Sequence, residues 1–278
     1  MQRTSELGSP ALTARTFGCM GTVISLAVPA GAVPAGPVPG VPVPGTRGAA
    51  EVLDAATAAV ERLFAAWDET FSVYRPDSEA SRLARGEVTL RQASAEMRNR
   101  YADAISWRIL TGGAFSPERP DGVLDLSGII KGYAIQQAGD ALLALGIDDW
   151  CLNAGGDVLV SGSPGPGGAA PWQAGIADPQ DRAVLLAGHA LGGPGAKRAL
   201  ATSGSAERGD HIWTAGTESA EFSQVSVAAA DIVTADVLAT AIVAGGTAML
   251  NRATDGWDID VLAVRRSGEL LATPGFRA

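Results

Sequence analysis

Apolar residues recur at helical spacing from Glu51 to Trp67, where Leu53, Ala56, Val60, Leu63, Phe64 and Trp67 form one stripe and predict a helix facing a core. A second such pattern runs from Lys131 to Leu145 and stops before Gly146, a residue suited to a helix C-terminus. Shorter apolar stretches read as strands: Thr22 to Val28, Trp150 to Asn153, Asp157 to Ser161, Gln224 to Ala228 and Asp258 to Val264, the last leading into an Arg-Ser-Gly-Glu turn. Strands and helices alternate without a regular βαβ period, so the pattern predicts an α+β fold.

Between the first strand and the first helix lies a Pro/Gly/Val repeat at about 29–48, PAGAVPAGPVPGVPVPGTRG. Its prolines cannot continue a helix or a central strand, and it is expected to be a surface loop inserted in a single domain spanning 1–278. A 46% hydrophobic content is ample for a core in a chain of 278 residues. The formal net charge of −9, without a dense Lys/Arg cluster, argues against nucleic acid or an anionic membrane surface as the main partner. No apolar run is read as reaching the roughly 18 residues of a membrane span, and the first residues lack the apolar segment of a signal peptide. Cys19 and Cys151 are far apart and outside any Cys-x-x-Cys spacing, so they are expected to be packing residues of a reduced, cytoplasmic protein.

The stretch TGGAFSPERPDGVLDLSGIIKGYA places Asp125 in a Ser/Gly turn and Lys131 at the start of the second helix. Backbone N–H groups of Ser127 to Ile130 and the nearby ammonium suit a diphosphate, since a helix N-terminus offers unpaired donors and partial positive charge. The competing reading has Ser127 capping the helix and Asp125 bonding its first turn. In TADVLATA, Asp236 and Thr240 are four residues apart and share one helix face. A carboxylate, a hydroxyl and a backbone carbonyl would make a hard oxygen site matched to Mg²⁺, whereas the plain alternative is a helix capped by Thr234 with Asp236 in its first turn. The segment ATSGSAERGDHIW clusters Glu207, Arg208 and His211, either a proton carrier with its neighbours or a polar surface turn. NAGGD, from Asn153 to Asp157, reads as a tight turn between strands.

These pieces occur together in one order: CMGT at Cys19 to Thr22, SVYRPDSEASR at Ser72 to Arg82, TGGAF at Thr111 to Phe115, LDLSGIIKGYA at Leu124 to Ala134, NAGGD, ATSG at Ala201 to Gly204, and ADVLATA at Ala235 to Ala241. In these segments the chain resembles the ApbE family of FAD:protein FMN transferases. The resemblance implies a compact unit of mixed sheets with packed helices, related to the T-fold. It implies a Mg²⁺-dependent transfer of FMN from FAD to a Thr or Ser of an acceptor protein, with release of AMP. It further implies that Met20, Tyr74, Ala114, Phe115, Ser116, Asp125, Lys131 and Ile212 contact FAD. Asp236, Thr240 and the carbonyl of Gly128 are implied to hold magnesium, and His211 to take part in the chemistry. The chain departs from the family pattern in three places: Ser116 stands where many members have Asp, the segment Trp213 to Thr217 replaces Asp-Pro-x-Thr-Gly, and Ala84 replaces an Asn. The same residues would also serve a Mg²⁺-dependent FAD diphosphatase, or a flavin carrier without chemistry.

Overall fold

The computed structural model describes residues 11–30, 49–165, 170–204 and 221–276. The expected insertion falls, from residue 31 onward, outside the described residues, as do His211 and Ile212. The chain opens with a hairpin of β1 (Leu12–Cys19) and β2 (Thr22–Pro29), joined by the two-residue turn Met20-Gly21. On β2, Ile24, Leu26 and Val28 alternate inward and are buried, as a half-buried strand requires.

The helices are α1 (Ala49–Phe71), α2 (Glu79–Ala84), α3 (Ala95–Leu110), α4 (Ser127–Ala144) and α5 (Ile232–Gly256). The stripe on α1 is buried as expected at Leu53, Ala56, Val60, Phe64 and Trp67, while Leu63 is only half-buried. The helix runs on to Phe71, whose ring stacks on Trp67 at 5.1 Å. α4 starts four residues before the apolar pattern does, because Asp125 Oδ1 accepts the Ser127 amide and anchors a first turn of Ser-Gly. α3 was not legible as a stripe: only Met97 and Ala104 are buried along it, and its start is fixed by Ser94, which accepts the Met97 amide.

Two expectations about α5 are corrected. Its N-cap is Asp231, whose side chain accepts the Thr234 amide at 2.8 Å, so Thr234 lies inside the helix. Against the expectation that no apolar run reaches membrane-spanning length, α5 is long and apolar enough by length and composition. Its apolar surface is covered within the chain, where it packs on α4 and on two sheet strands, β7 (Ala199–Gly204) and β8 (Phe222–Ala229).

One sheet holds eight strands in the order β1-β2-β3-β4-β7-β8-β9-β10, with β3 (Trp150–Ala154), β4 (Asp157–Ser161), β7 (Ala199–Gly204), β8 (Phe222–Ala229), β9 (Asp260–Arg265) and β10 (Leu270–Ala272). The remaining strands, β5 (Trp172–Ala177) and β6 (Leu185–Leu191), form a separate hairpin. Every pairing among the described strands is antiparallel. The helices cover one face of the large sheet and make the main core with residues such as Leu152, Leu159 and Val227. The β5–β6 hairpin covers part of the other face, where Trp172, Ile176 and Leu191 meet Val160, Leu200 and Leu262. Both faces of β4 are thereby covered, which is why its residues read as a continuous apolar run. Cys19 packs against the main core and Cys151 against the second, and both are free thiols.

Candidate functional site

An open cleft of about 440 Å³ lies between the β1–β2 turn, the C-terminal end of α1 and the N-terminal turns of α4. Met20, Asp68, Tyr74, Arg75, Ser127 and Lys131 line it. Met20 (φ 52°) and Gly21 (φ 71°) both adopt left-handed backbone between the paired residues Cys19 and Thr22, the geometry of a type I′ turn. Among the described residues Met20 is the one non-glycine with positive φ, a conformation that costs on the order of 1 kcal/mol or more and is often kept where a side chain must be aimed.

Tyr74 is 76% exposed at the mouth of the cleft. Its loop is fixed from below: Ser78 and Ser81 hydroxyls donate to the Ser72 carbonyl, and Ser78 also caps α2 by accepting the Ser81 amide. Beside the cleft, burial and the nearby Asp68 push the Cys19 thiol above its ordinary pKa, so it is kept protonated.

The TGGAFS segment turns sharply after α3 through left-handed Gly112 and Gly113. Thr111 Oγ1 accepts the Phe115 amide and donates to the Trp107 carbonyl, which draws Phe115 into the core. Phe115 lies under Gly128: a methyl there would sit 3.0 Å from Phe115 Cε2 and 3.8 Å from Thr240 Cγ2. Ala114 lies against α5, where a methyl on Gly245 would come within 3.0 Å of its Cβ. The Ser116 hydroxyl is engaged in its own turn, donating to the Glu118 carbonyl and accepting the Glu118 amide.

Of the two readings of the α4 start, capping by Ser127 is not observed. The N-cap is Leu126, without a side-chain bond, and Ser127 is an exposed first-turn residue facing the cleft. Asp125 instead bonds that first turn through the Ser127 amide at 2.9 Å. Lys131, one turn further, reaches the cleft wall, and its Nζ is 2.5 Å from Asp157 Oδ2.

Behind this wall α4 and α5 approach closely, since a methyl on Gly132 would stand 3.1 Å from the Val233 Cα. The buried Asp236 uses that approach: its Oδ2 accepts the Gly132 amide at 3.1 Å. In a regular helix this amide bonds the Gly128 carbonyl four residues back, so a donor shared with Asp236 leaves that carbonyl with lone-pair capacity. One turn along α5, Thr240 Oγ1 shares a hydrogen bond of 3.0 Å with Ser203 Oγ on β7. Asp236, Thr240 and Gly128 are thus brought to one junction between α4 and α5.

Among the described residues no group of three or more His, Cys, Asp or Glu forms a metal cluster. The α4–α5 junction offers a different donor set, one buried carboxylate with a hydroxyl and a backbone carbonyl, and such hard oxygen donors fit Mg²⁺.

The sequence places Asp157 at the end of a turn and the start of a strand, with no role in the site. The turn is real: Gly155 and Gly156 are left-handed, and Asn153 Oδ1 accepts the Gly156 amide. Yet the Asp157 carboxylate is fully buried, accepting the Thr202 amide at 3.0 Å while meeting Lys131. Its only signal in the sequence was an acidic residue opening an otherwise apolar strand.

The sequence model of the family described as the ApbE family matches residues 117–262. A stretch of 99 residues is 40% identical to a FAD:protein FMN transferase of Rhodobacter capsulatus, covering 36% of this chain and 18% of that protein's length. Among solved structures, the flavin transferase ApbE from Vibrio cholerae has a TM-score of 0.70 at 22% identity, over 96% of this chain and 99% of that one. The flavinyl transferase ApbE of Pseudomonas stutzeri, in its apo form, has a TM-score of 0.70 at 19% identity, over 98% of both chains. The structural likenesses establish the shared fold, and the family match spans more than half of the sequence, including α4, the Asp157 turn and the Asp236–Thr240 face: the chain belongs to the ApbE family.

Proposed function

We propose that this protein transfers FMN from FAD to a Thr or Ser hydroxyl of an acceptor protein and releases AMP, with Mg²⁺ as cofactor. The observation that carries the reading is the α4–α5 junction: Asp236 on the Gly132 amide and Thr240 against Gly128 stand directly behind the cleft that holds Lys131, Ser127, Tyr74 and Met20. A cleft with an ammonium, a helix N-terminus and an exposed aromatic ring suits a flavin carrying a diphosphate. Its hard oxygen neighbour suits the cation that such a diphosphate brings. The name of the Rhodobacter capsulatus relative points to the same chemistry.

In this reading the acceptor oxygen forms a bond to the FMN-side phosphorus, the bond from that phosphorus to the AMP oxygen breaks, and the hydroxyl proton passes to a base. That base is His211, which lies outside the described residues and which the family resemblance implies takes part in the chemistry, or a nearby carboxylate. Asp236, Thr240 and the Gly128 carbonyl would hold magnesium, which supplies charge neutralisation for the diphosphate when bound. Lys131 and the first turn of α4 orient the diphosphate, and Met20 and Tyr74 hold the ring system at the mouth.

The test is incubation with FAD and Mg²⁺, with and without a Thr-containing acceptor peptide, resolving FMN, AMP and peptide mass. Peptide gaining an FMN-sized increment together with AMP supports transfer. FMN and AMP released equally without peptide make it a diphosphatase, and neither product makes it a carrier. Asp236→Ala is expected to lower turnover at least a hundredfold with the fold retained, and Thr240→Val to lower it less. Wild-type Mg²⁺ dependence in Asp236→Ala would remove the metal assignment.

A further inference from the structure

Lys131 carries a flexible four-carbon stem, and an ammonium on such a stem recognises a phosphate in a defined place only if something holds it there. Its side chain is 14% exposed and Nζ meets Asp157 Oδ2 at 2.5 Å. Asp157 is itself immobilised from two sides. The Gly155-Gly156 turn sets its backbone, with Ala154 paired across to Asp157, and the Thr202 amide on β7 donates to its Oδ1 at 3.0 Å. The acid is 0% exposed, so its oxygens depend on partners within the fold. The pair links the inner wall of the cleft to the centre of the large sheet, where β4 meets β7.

We propose that Asp157 is a positioning residue for substrate: it fixes the Lys131 ammonium at the inner wall of the cleft, where that ammonium engages the diphosphate of FAD. The inference rests on the reading of the cleft as an FAD site. Asp157 touches no substrate and acts through Lys131, and the Thr202 amide contributes by holding the carboxylate in register.

A double-mutant cycle on FAD affinity, measured by isothermal titration calorimetry on the full chain without Mg²⁺, separates this role from simple support of the fold. Asp157→Asn is expected to weaken FAD binding about tenfold, Lys131→Gln about as much, and the double variant K131Q/D157N no more than either single change. A structural role would instead carry over into the Lys131→Gln background and multiply the two losses. FAD binding in Asp157→Asn as tight as in the parent, or multiplied losses in the double variant, would overturn the proposal. Should Asp157→Asn fail to fold, Lys131→Gln against the electrically neutral double variant gives the same answer, since equal affinities support the proposal and a further loss sinks it. Parent-like affinity in Lys131→Gln would count against the cleft reading itself, whereas a loss there with none in Asp157→Asn would refute the positioning role alone.

Discussion

A methyl group at position 139 has nowhere to go. Built on the backbone of α4, it would stand 2.7 Å from Trp150 Cη2 and 3.0 Å from Leu159 Cδ2, and both neighbours are fully buried. Alanine normally stabilises a helix interior relative to glycine by about 0.5–1 kcal/mol, but overpacking a tight core costs about 1–3 kcal/mol. The second effect wins here because the indole and the leucine are held by the sheet beneath. Gly139→Ala is therefore expected to lower stability by about 1–2 kcal/mol, seen as a fall of about 2–8 °C in melting temperature. An unchanged or raised melting temperature would mean that α4 rides higher on the sheet than described. Gly128 and Gly132, on the same helix, obey the same close-approach rule, but their near neighbours are Phe115, Thr240, Val233 and Asp236 at the α4–α5 junction.

At the scale of elements, α5 is two helices in one. Gly246 (φ 61°, ψ −154°) breaks the helical backbone, and the break is sealed by Glu221, the residue just before β8. One carboxylate oxygen accepts the Thr247 amide at 2.8 Å, the other accepts the Thr247 hydroxyl at 2.7 Å, and Arg265 pairs with the same group. This is an N-cap supplied from outside the helix, and it keeps the segment beyond Gly246 docked while Asp236 and Thr240 sit on the segment before it. The bonds to Thr247, with Arg265 beside them, hold the Glu221 carboxyl below its ordinary value of 4.5. Its contribution is accordingly full above that value and is lost as pH falls through the depressed one. Glu221→Ala should cost about 1 kcal/mol in urea unfolding at neutral pH, and the difference from the parent should shrink in acid. A difference independent of pH would show that packing, not the charge, carries the effect.

The whole molecule is a large sheet with a core on each face, and the smaller core contains a titratable group. His189 on β6 is 7% exposed, its ring centroid 4.4 Å from that of Phe276, with Nε2 3.8 Å from Asp260 Oδ2. Burial lowers its pKa below the ordinary 6.5; Asp260 opposes that shift and Lys197 adds to it. The unfolded chain thus takes up the proton first as pH falls. The stabilising contribution of neutral His189 is present above 6.5 and is lost as pH drops from there toward the lowered folded value. Stability measured by urea unfolding should decline across that window, and His189→Gln should remove that part of the slope. A slope that persists unchanged in the variant would assign it to carboxylates.

Periodicity alone determined α1, much of α4, and strands β2, β3, β4, β8 and β9, because a stripe or an alternation records which side of an element meets the core. It missed α3, whose few buried residues leave no stripe, and β5 and β6, which pack on a second core that local pattern does not announce. The site divides in the same way. Short-range geometry made the shared face of Asp236 and Thr240 and the turn at Asn153 to Asp157 legible, since spacing on a helix and glycines in a turn are local properties. The sequence could not say that the Gly132 amide would meet Asp236 across 104 residues, or that Ser203 would meet Thr240. Nor could it say that Asp157, apparently a turn residue, would be buried against Lys131. Those pairings depend on how closely α4 and α5 approach and on which strands lie side by side, and only the folded sheet with its helices decides either.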